Sequence, residues 1–432
     1  MQLQTIVPGP LTGVVTPPAD KSISHRALLF SALAGGESQI VNLLQAQDVE
    51  TTQAVLRQLG VNIKQRGAAI IVEGKDGKLQ PTPTGLDCGN SGTTMRLLAG
   101  ILAGQAFTSV LVGDSSLSKR PMERILIPLC AMGAKAFASP TGSPPVLLRG
   151  GNLRGIEYAL PVASAQLKSA LLLAALQAEG ETILHEPALS RDHTERMLAS
   201  LGVSLRREGL TLILQGPQGL RAGRFIIPGD FSSAAPWLVA ALVCPGSHLL
   251  IKNVGLNPTR TGLLHILQRM GAGLIVRERG SSESGEPWGD IEVRSQDLRG
   301  TEVVAAEIPL AIDEIPLLVV AACFAQGVTR INGAQELRAK ESDRITNIVR
   351  PLLRMGAKIQ VDGDDILIEG QGWLQGATVE AAGDHRIAMA LAVAGSAALS
   401  PVQLMGAEWV QISYPTFWAE LARLQEGARC DS

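Results

Sequence analysis

Met355-Gly356-Ala357-Lys358-Ile359-Gln360-Val361 joins the end of a helix to the start of a strand. A leucine-rich helical pattern precedes it, Gly356 stands where a helix closes on a left-handed residue, and polar and apolar side chains alternate after it. The phrase recurs at Leu59-Gly60-Val61, Met132-Gly133-Ala134, Leu201-Gly202-Val203 and Met270-Gly271-Ala272. These glycines lie 73, 69, 69 and 85 residues apart, and six units of 72 fill the 432 residues. Each unit also opens alike, with small polar and charged residues ahead of an Ala/Leu helix. The openings are Asp20-Lys21-Ser22, Gly89-Asn90-Ser91-Gly92-Thr93, Ala163-Ser164-Ala165-Gln166, Asp230-Phe231-Ser232-Ser233, Ile312-Asp313-Glu314 and Gly383-Asp384-His385-Arg386. Ser, Thr, Asn and Asp cap helix starts. A unit of about 72 residues is longer than a solenoid repeat, and its mixture of strands and helices points to compact α/β lobes.

Composition fits more than one such lobe, since a single core seldom serves so long a chain. Hydrophobic residues make up 46% and aromatic residues 3%, so the cores must be built from Leu, Ile, Val and Ala, without stacking platforms for bases or sugars. The net charge of −2 argues against a protein that coats nucleic acid or membrane surfaces. Cys88, Cys130, Cys244, Cys323 and Cys430 are odd in number and widely spaced, as expected of buried or spare thiols in a reducing, cytoplasmic setting. The histidines have no metal-ligand spacing, so no metal is expected. The N-terminus carries no signal-peptide pattern, and no apolar run is long enough to span a bilayer.

The openings suggest the chemistry. A helix N-terminus presents unpaired N–H groups and a partial positive charge, and therefore favours anions. Several openings add cations. Ser22 and Arg26 are four apart on one helical face, Arg120 lies in Ser118-Lys-Arg-Pro121, and Arg386 follows Asp384-His385. Lys340 and Arg344 are also four apart, a repulsive spacing on a helix that a bound anion would relieve. Two acids stand near these cations. Glu341 lies between Lys340 and Arg344, while Asp313 reads either as an ordinary N-cap or as a tuned acid–base group. Phosphate-loop, dinucleotide and hydrolase-elbow motifs are missing, which disfavours ATP, dinucleotide and serine-hydrolase chemistry.

Taken in order, Asp20-Lys-Ser-Ile-Ser-His-Arg26, Gly89-Asn-Ser-Gly-Thr-Thr-Met-Arg96, Lys119-Arg-Pro-Met122, Ser164-Ala-Gln166, Asp313-Glu-Ile-Pro316, Arg338-Ala-Lys-Glu-Ser-Asp-Arg344 and Gly383-Asp-His-Arg386 form a specific set. Along nearly its whole length the chain resembles the 3-phosphoshikimate 1-carboxyvinyltransferase (EPSP synthase) family. The resemblance implies an α/β, two-lobed inside-out barrel (EPT/RTPC-like) with three βαβαββ repeats per lobe. Residues 19–228 would form one lobe and residues 1–18 plus 229–432 the other. The chain would cross near Pro18 and near Pro228-Gly229, with substrates in the interlobe cleft. The implied reaction, a step of the shikimate pathway toward chorismate and the aromatic amino acids, moves the enolpyruvyl group of phosphoenolpyruvate onto the 5-hydroxyl of shikimate 3-phosphate. It proceeds by addition and elimination through a tetrahedral intermediate and uses no cofactor. A monomer with small-molecule partners alone is expected.

The family pattern assigns Lys21, Ser22, Arg26, Ser164, Gln166, Arg191, Asp313 and Lys340 to shikimate 3-phosphate. It assigns Lys21, Gly92, Arg120, Gln166, Arg344 and Arg386 to phosphoenolpyruvate. Lys21, Asp313 and Glu341 carry the catalysis, with Asp313 accepting the 5-hydroxyl proton and Glu341 working at the methylene carbon. Gly92 leaves the phosphoenolpyruvate subsite open to glyphosate. The chain departs from the pattern in four places. Gln411-Ile-Ser-Tyr-Pro415 lacks the late lysine of many members, Leu97 replaces a common proline, Glu336 stands where some members have Asn, and Arg191 matches a variant branch. The sister family, UDP-N-acetylglucosamine 1-carboxyvinyltransferase, shares the chemistry but carries a cysteine missing from Asp114-Ser-Ser-Leu-Ser-Lys-Arg120, and Asn where this chain has Ser22. A non-catalytic anion-binding repeat protein has no need of Asp313 and Glu341 amid the cations.

Overall fold

The computed structural model describes residues 2–430. All five closing glycines adopt positive φ: Gly60 82°, Gly133 114°, Gly202 91°, Gly271 97° and Gly356 87°. Side chains with a Cβ rarely adopt this conformation, which is why glycine punctuates the repeat. The chain divides into two units. The first contains Ala19–Pro228 and Ser281–Glu286, and the second contains Met1–Pro18, Gly229–Gly280 and Pro287–Ser432. Each has its own hydrophobic core.

Within the first unit the repeat is clear in residues 86–149. A short strand, Leu86–Asp87, leads into the helix Gly92–Ala103, the strand Thr108–Val112, the helix Glu123–Ala131 and the strands Lys135–Phe137 and Val146–Arg149. Leu86 pairs in parallel with Leu111, a pairing that needs the intervening helix as a crossover. The remaining pairs are antiparallel, Ser109 against Leu148 and Ala136 against Leu148. The same four-strand order recurs around Glu37–Val41, but there the opening strand comes from the far end of the unit, with Arg224 opposite Gln39.

The first helix of each repeat is buried along most of its length, polar residues such as His25 and Lys168 included. Every residue of Phe231–Val243 in the second unit is buried. In the first unit the helices Gly92–Ala103 and Ala165–Ala175 touch so closely that a Cβ on Gly100 would lie 2.1 Å from the Ala170 carbonyl oxygen. Only glycine permits that approach.

Two expectations need correction. The last repeat of the second unit is not a full βαβαββ unit. Its sheet has three strands, ordered Leu3–Ile6, Val402–Met405, Thr378–Glu380, and the chain's own N-terminal strand runs antiparallel to Val402–Met405. Two crossings near Pro18 and Pro228 also leave out Ser281–Glu286. These residues group with the first unit because Glu286 Oε1 meets His193 Nδ1 at 2.8 Å, Arg224 pairs with Glu283 at 2.7 Å, and Arg196 donates to the Gly285 carbonyl. Among the described residues, no helix is long and apolar enough to cross a membrane.

Candidate active site

In the first unit, three helix starts carry the expected residues. Asp20 caps the helix Lys21–Leu33 by accepting from Ile23 N at 2.8 Å. Lys21 thus opens the helix, with its Nζ 3.2 Å from Asp48 Oδ2, and Arg26 lies one turn on, donating to the Ser22 carbonyl at 3.0 Å. Burial, opposed by the charges of Glu195 and Asp20 and aided by that of Arg191, brings the Arg26 pKa down to about 10. Arg26 therefore stays cationic at neutral pH.

Ser91 caps the helix Gly92–Ala103 through Thr94 N. A buried chain of hydroxyls supports this cap: Ser91 Oγ, Thr94 Oγ1, Thr52 Oγ1 and His25 Nδ1 are linked in turn at 2.7 Å each. Burial depresses the His25 pKa to about 3, so this ring is neutral and anchors rather than titrates. A Cβ on Gly92 would lie 3.4 Å from Nη1 of both Arg120 and Arg96. Arg120 Nη2 donates to Asn90 Oδ1 at 2.7 Å, and Arg96 Nη1 donates to Gln166 Oε1 at 2.5 Å. Gln166 in turn donates to Thr93 Oγ1 at 3.0 Å, and Ser164 caps the helix of Gln166. Gly92, Arg96, Arg120 and Gln166 are thus one constellation.

The second unit gathers the acids. Asp313 is not an N-cap. The helix Ile315–Phe324 begins after Glu314, which makes no capping hydrogen bond with its side chain. The Asp313 carboxylate instead faces three arginines: Arg344 Nη1 at 2.9 Å, Arg386 Nη2 at 3.5 Å and Arg260 Nη1 at 3.8 Å. Arg344 is 1% exposed and donates to three carboxylates, with Nε to Asp384 Oδ2 at 2.8 Å, Nη1 to Asp313 and Nη2 to Glu341 Oε2 at 2.5 Å. Burial alone would lower its pKa, but Asp384, Glu341 and Asp313 outweigh burial and raise it. Burial would likewise raise Asp384, yet the adjacent Arg344 holds it ionised below the usual carboxylate range. Asp384 also caps the helix His385–Ser396 through Arg386 N at 2.9 Å.

Each unit therefore presents helix starts lined with guanidiniums, and the second adds carboxylates within reach of them. This set suits anionic substrates and proton transfer. Among the described residues, no cluster of His, Cys, Asp and Glu could hold a metal.

The sequence model of the family described as EPSP synthase (3-phosphoshikimate 1-carboxyvinyltransferase) matches residues 6–421. The chain belongs to the EPSP synthase family. The 3-phosphoshikimate 1-carboxyvinyltransferase of Carboxydothermus hydrogenoformans is 49% identical over 97% of this chain and 98% of its own length. That of Syntrophomonas wolfei is 50% identical over 95% and 96%. The EPSP synthase of Acinetobacter baumannii superposes with a TM-score of 0.88 at 43% identity, covering 98% of both chains.

Against this family pattern, one sequence argument fails. Lys340 and Arg344 do not share a helical face. The helix starts at Arg344 behind the Asp343 cap, and Lys340 follows the short 3-10 turn Gln335–Ala339. Sequence reasoning also passed over Arg96, Arg260, Asp48 and Asp384 as site residues. Arg96 and Asp384 lie inside the motifs that carried the resemblance. Arg260 offers no local signal, because it meets Asp230, Ser232 and Glu314 only through the fold. Where many members carry the late lysine, Gln411 is exposed and the neighbouring Tyr414 is buried in the core.

Proposed function

We propose that this member of the EPSP synthase family transfers the enolpyruvyl group of phosphoenolpyruvate to the 5-hydroxyl of shikimate 3-phosphate, releasing inorganic phosphate. Lys21, Ser22, Arg26, Ser164, Gln166, Arg191 and Lys340 bind shikimate 3-phosphate. Gly92, Arg120, Gln166, Arg344 and Arg386, with Lys21, bind phosphoenolpyruvate. Asp313 takes the proton of the 5-hydroxyl as its oxygen bonds to C2 of phosphoenolpyruvate, and Glu341 delivers a proton to the methylene carbon. Glu341 then takes a proton back from that carbon, the C2–O bond to phosphate breaks, and Lys21 offsets the charge on the departing phosphate.

One observation supports this reading above the rest. Asp313 is drawn away from the helix cap into a ring of arginines, two of them assigned to phosphoenolpyruvate. Those guanidiniums hold the carboxylate among the groups assigned to phosphoenolpyruvate, where the 5-hydroxyl needs a proton acceptor. The donors that Arg344 gives to Glu341 and Asp313 also match a planar carboxylate. The substrate carboxylate thus displaces Glu341, and its arrival frees the acid–base group. Free thiols at Cys88, Cys130, Cys244 and Cys323 support a reducing, cytoplasmic setting. The Cys430 side chain lies outside the described residues.

A phosphate-release assay with phosphoenolpyruvate and either shikimate 3-phosphate or UDP-N-acetylglucosamine tests the reading. Release is expected with shikimate 3-phosphate alone, and should be lost in a folded Asp313→Ala variant. Release with the sugar nucleotide alone, or full turnover by Asp313→Ala, contradicts it.

A further inference from the structure

The two buried arginines of the site are held in opposite ways. Arg344 is gripped by three carboxylates. Arg26, 3% exposed, is gripped by oxygens that carry no charge. Its Nε donates to Thr194 Oγ1 and its Nη2 to Ser169 Oγ, both at 2.8 Å, while Nη1 donates to the Ser22 carbonyl. Ser169 and Thr194 are themselves 2.6 Å apart, and Ser169 also donates to the Ala165 carbonyl at 2.6 Å. The single Ser169 proton is therefore committed to Ala165, and the Thr194 proton points to Ser169 Oγ. Each hydroxyl oxygen keeps a lone pair for the guanidinium. Ser169 and Thr194 are both fully buried, so water does not compete for these bonds.

We propose that Ser169 and Thr194 are positioning residues for Arg26, a hydroxyl cradle that fixes the guanidinium without neutralising it. Its full charge and its outer edge are thereby kept for an anionic group of shikimate 3-phosphate. A carboxylate in the same place would make a bidentate pair and compete with the substrate. The neighbouring acid Glu195 is turned to other cations, Lys168 at 2.7 Å and Arg207 at 2.8 Å. Lys168 and Arg207 share a second acid, Glu186, at 3.0 and 2.9 Å. This buried cluster pairs two cations with two acids, so Glu195 acts on Arg26 only through space, and Arg26 keeps its donors as one of the cations assigned to the ligand.

The inference rests on the assignment of Arg26 to shikimate 3-phosphate, and the test separates the two. Steady-state kinetics and calorimetric binding of shikimate 3-phosphate are measured on the full chain for Thr194→Val, Thr194→Ser, Ser169→Ala and Arg26→Ala. Losing one hydrogen bond to a charged group should raise KM and Kd for shikimate 3-phosphate roughly tenfold in Thr194→Val. KM for phosphoenolpyruvate and kcat should stay within about twofold, because only Arg26 is misplaced. Thr194→Ser should restore binding, and failure to do so overturns the proposal, since packing rather than the hydroxyl would then matter. Wild-type affinity in Thr194→Val, or equal losses for both substrates, also overturns it. Should Thr194→Val not fold, Ser169→Ala is read in the same way. If Arg26→Ala binds normally, the assignment of Arg26 falls. If Arg26→Ala binds weakly while the hydroxyl variants bind normally, the cradle alone falls.

Discussion

Gly92 matters for the space it leaves. A Cβ there would come into contact with two guanidiniums, from Arg96 and Arg120. Gly92→Ala should therefore fill space between the two guanidiniums that a ligand would otherwise use, and raise KM for phosphoenolpyruvate roughly fivefold. Glyphosate, which the family resemblance assigns to the same subsite, should lose affinity alongside it. Unchanged values for both ligands would remove Gly92 from the subsite. At this scale the sequence was informative wherever a cation stood in a short polar motif, as Arg120 and Arg344 do. It was silent on Arg260, whose partners Asp230, Ser232 and Glu314 come from distant segments. It left Asp313 undecided, because a helix cap and an acid–base group look alike in one dimension.

Between residues and the whole chain, elements hold the site by packing. The 3-10 helix Ala407–Ile412 and the helix Phe417–Cys430 flank Tyr414, whose hydroxyl accepts from Trp237 Nε1 at 2.9 Å and donates to Glu420 Oε2 at 2.6 Å. Trp237 stacks on Phe417 with ring centroids 4.9 Å apart. Burial, then the Glu420 carboxylate, pushes the tyrosine pKa upward, so the phenol remains a neutral donor. Tyr414→Phe leaves the Trp237 N–H without this acceptor and should destabilise the second unit by about 1–3 kcal/mol, read as a lower denaturant midpoint. No shift in midpoint would show that Tyr414 is merely filling space. The closing glycines made helix ends legible, because positive φ selects a residue type. Helix starts were less so. The spacing of Lys340 and Arg344 suggested one helix, yet the Asp343 cap starts the helix at Arg344 itself.

For the whole molecule, the period was readable because the repeats, the last one excepted, spend the same apolar pattern on the same local structure. What the period could not reveal was strand exchange over long sequence distances. Arg224–Ile226 opens the first sheet of its unit, and Leu3–Ile6 completes the last sheet of the other. The excursion of Ser281–Glu286 was hidden for a similar reason, since its partners His193, Arg196 and Arg224 are remote in sequence. The central proposal is that Arg120 and Arg386 bind phosphoenolpyruvate. It is tested most directly by the KM for phosphoenolpyruvate in Arg120→Ala, from the first unit, and Arg386→Ala, from the second. Each variant should raise KM at least about tenfold through loss of a charged hydrogen-bond donor. A wild-type KM in either one would contradict the claim.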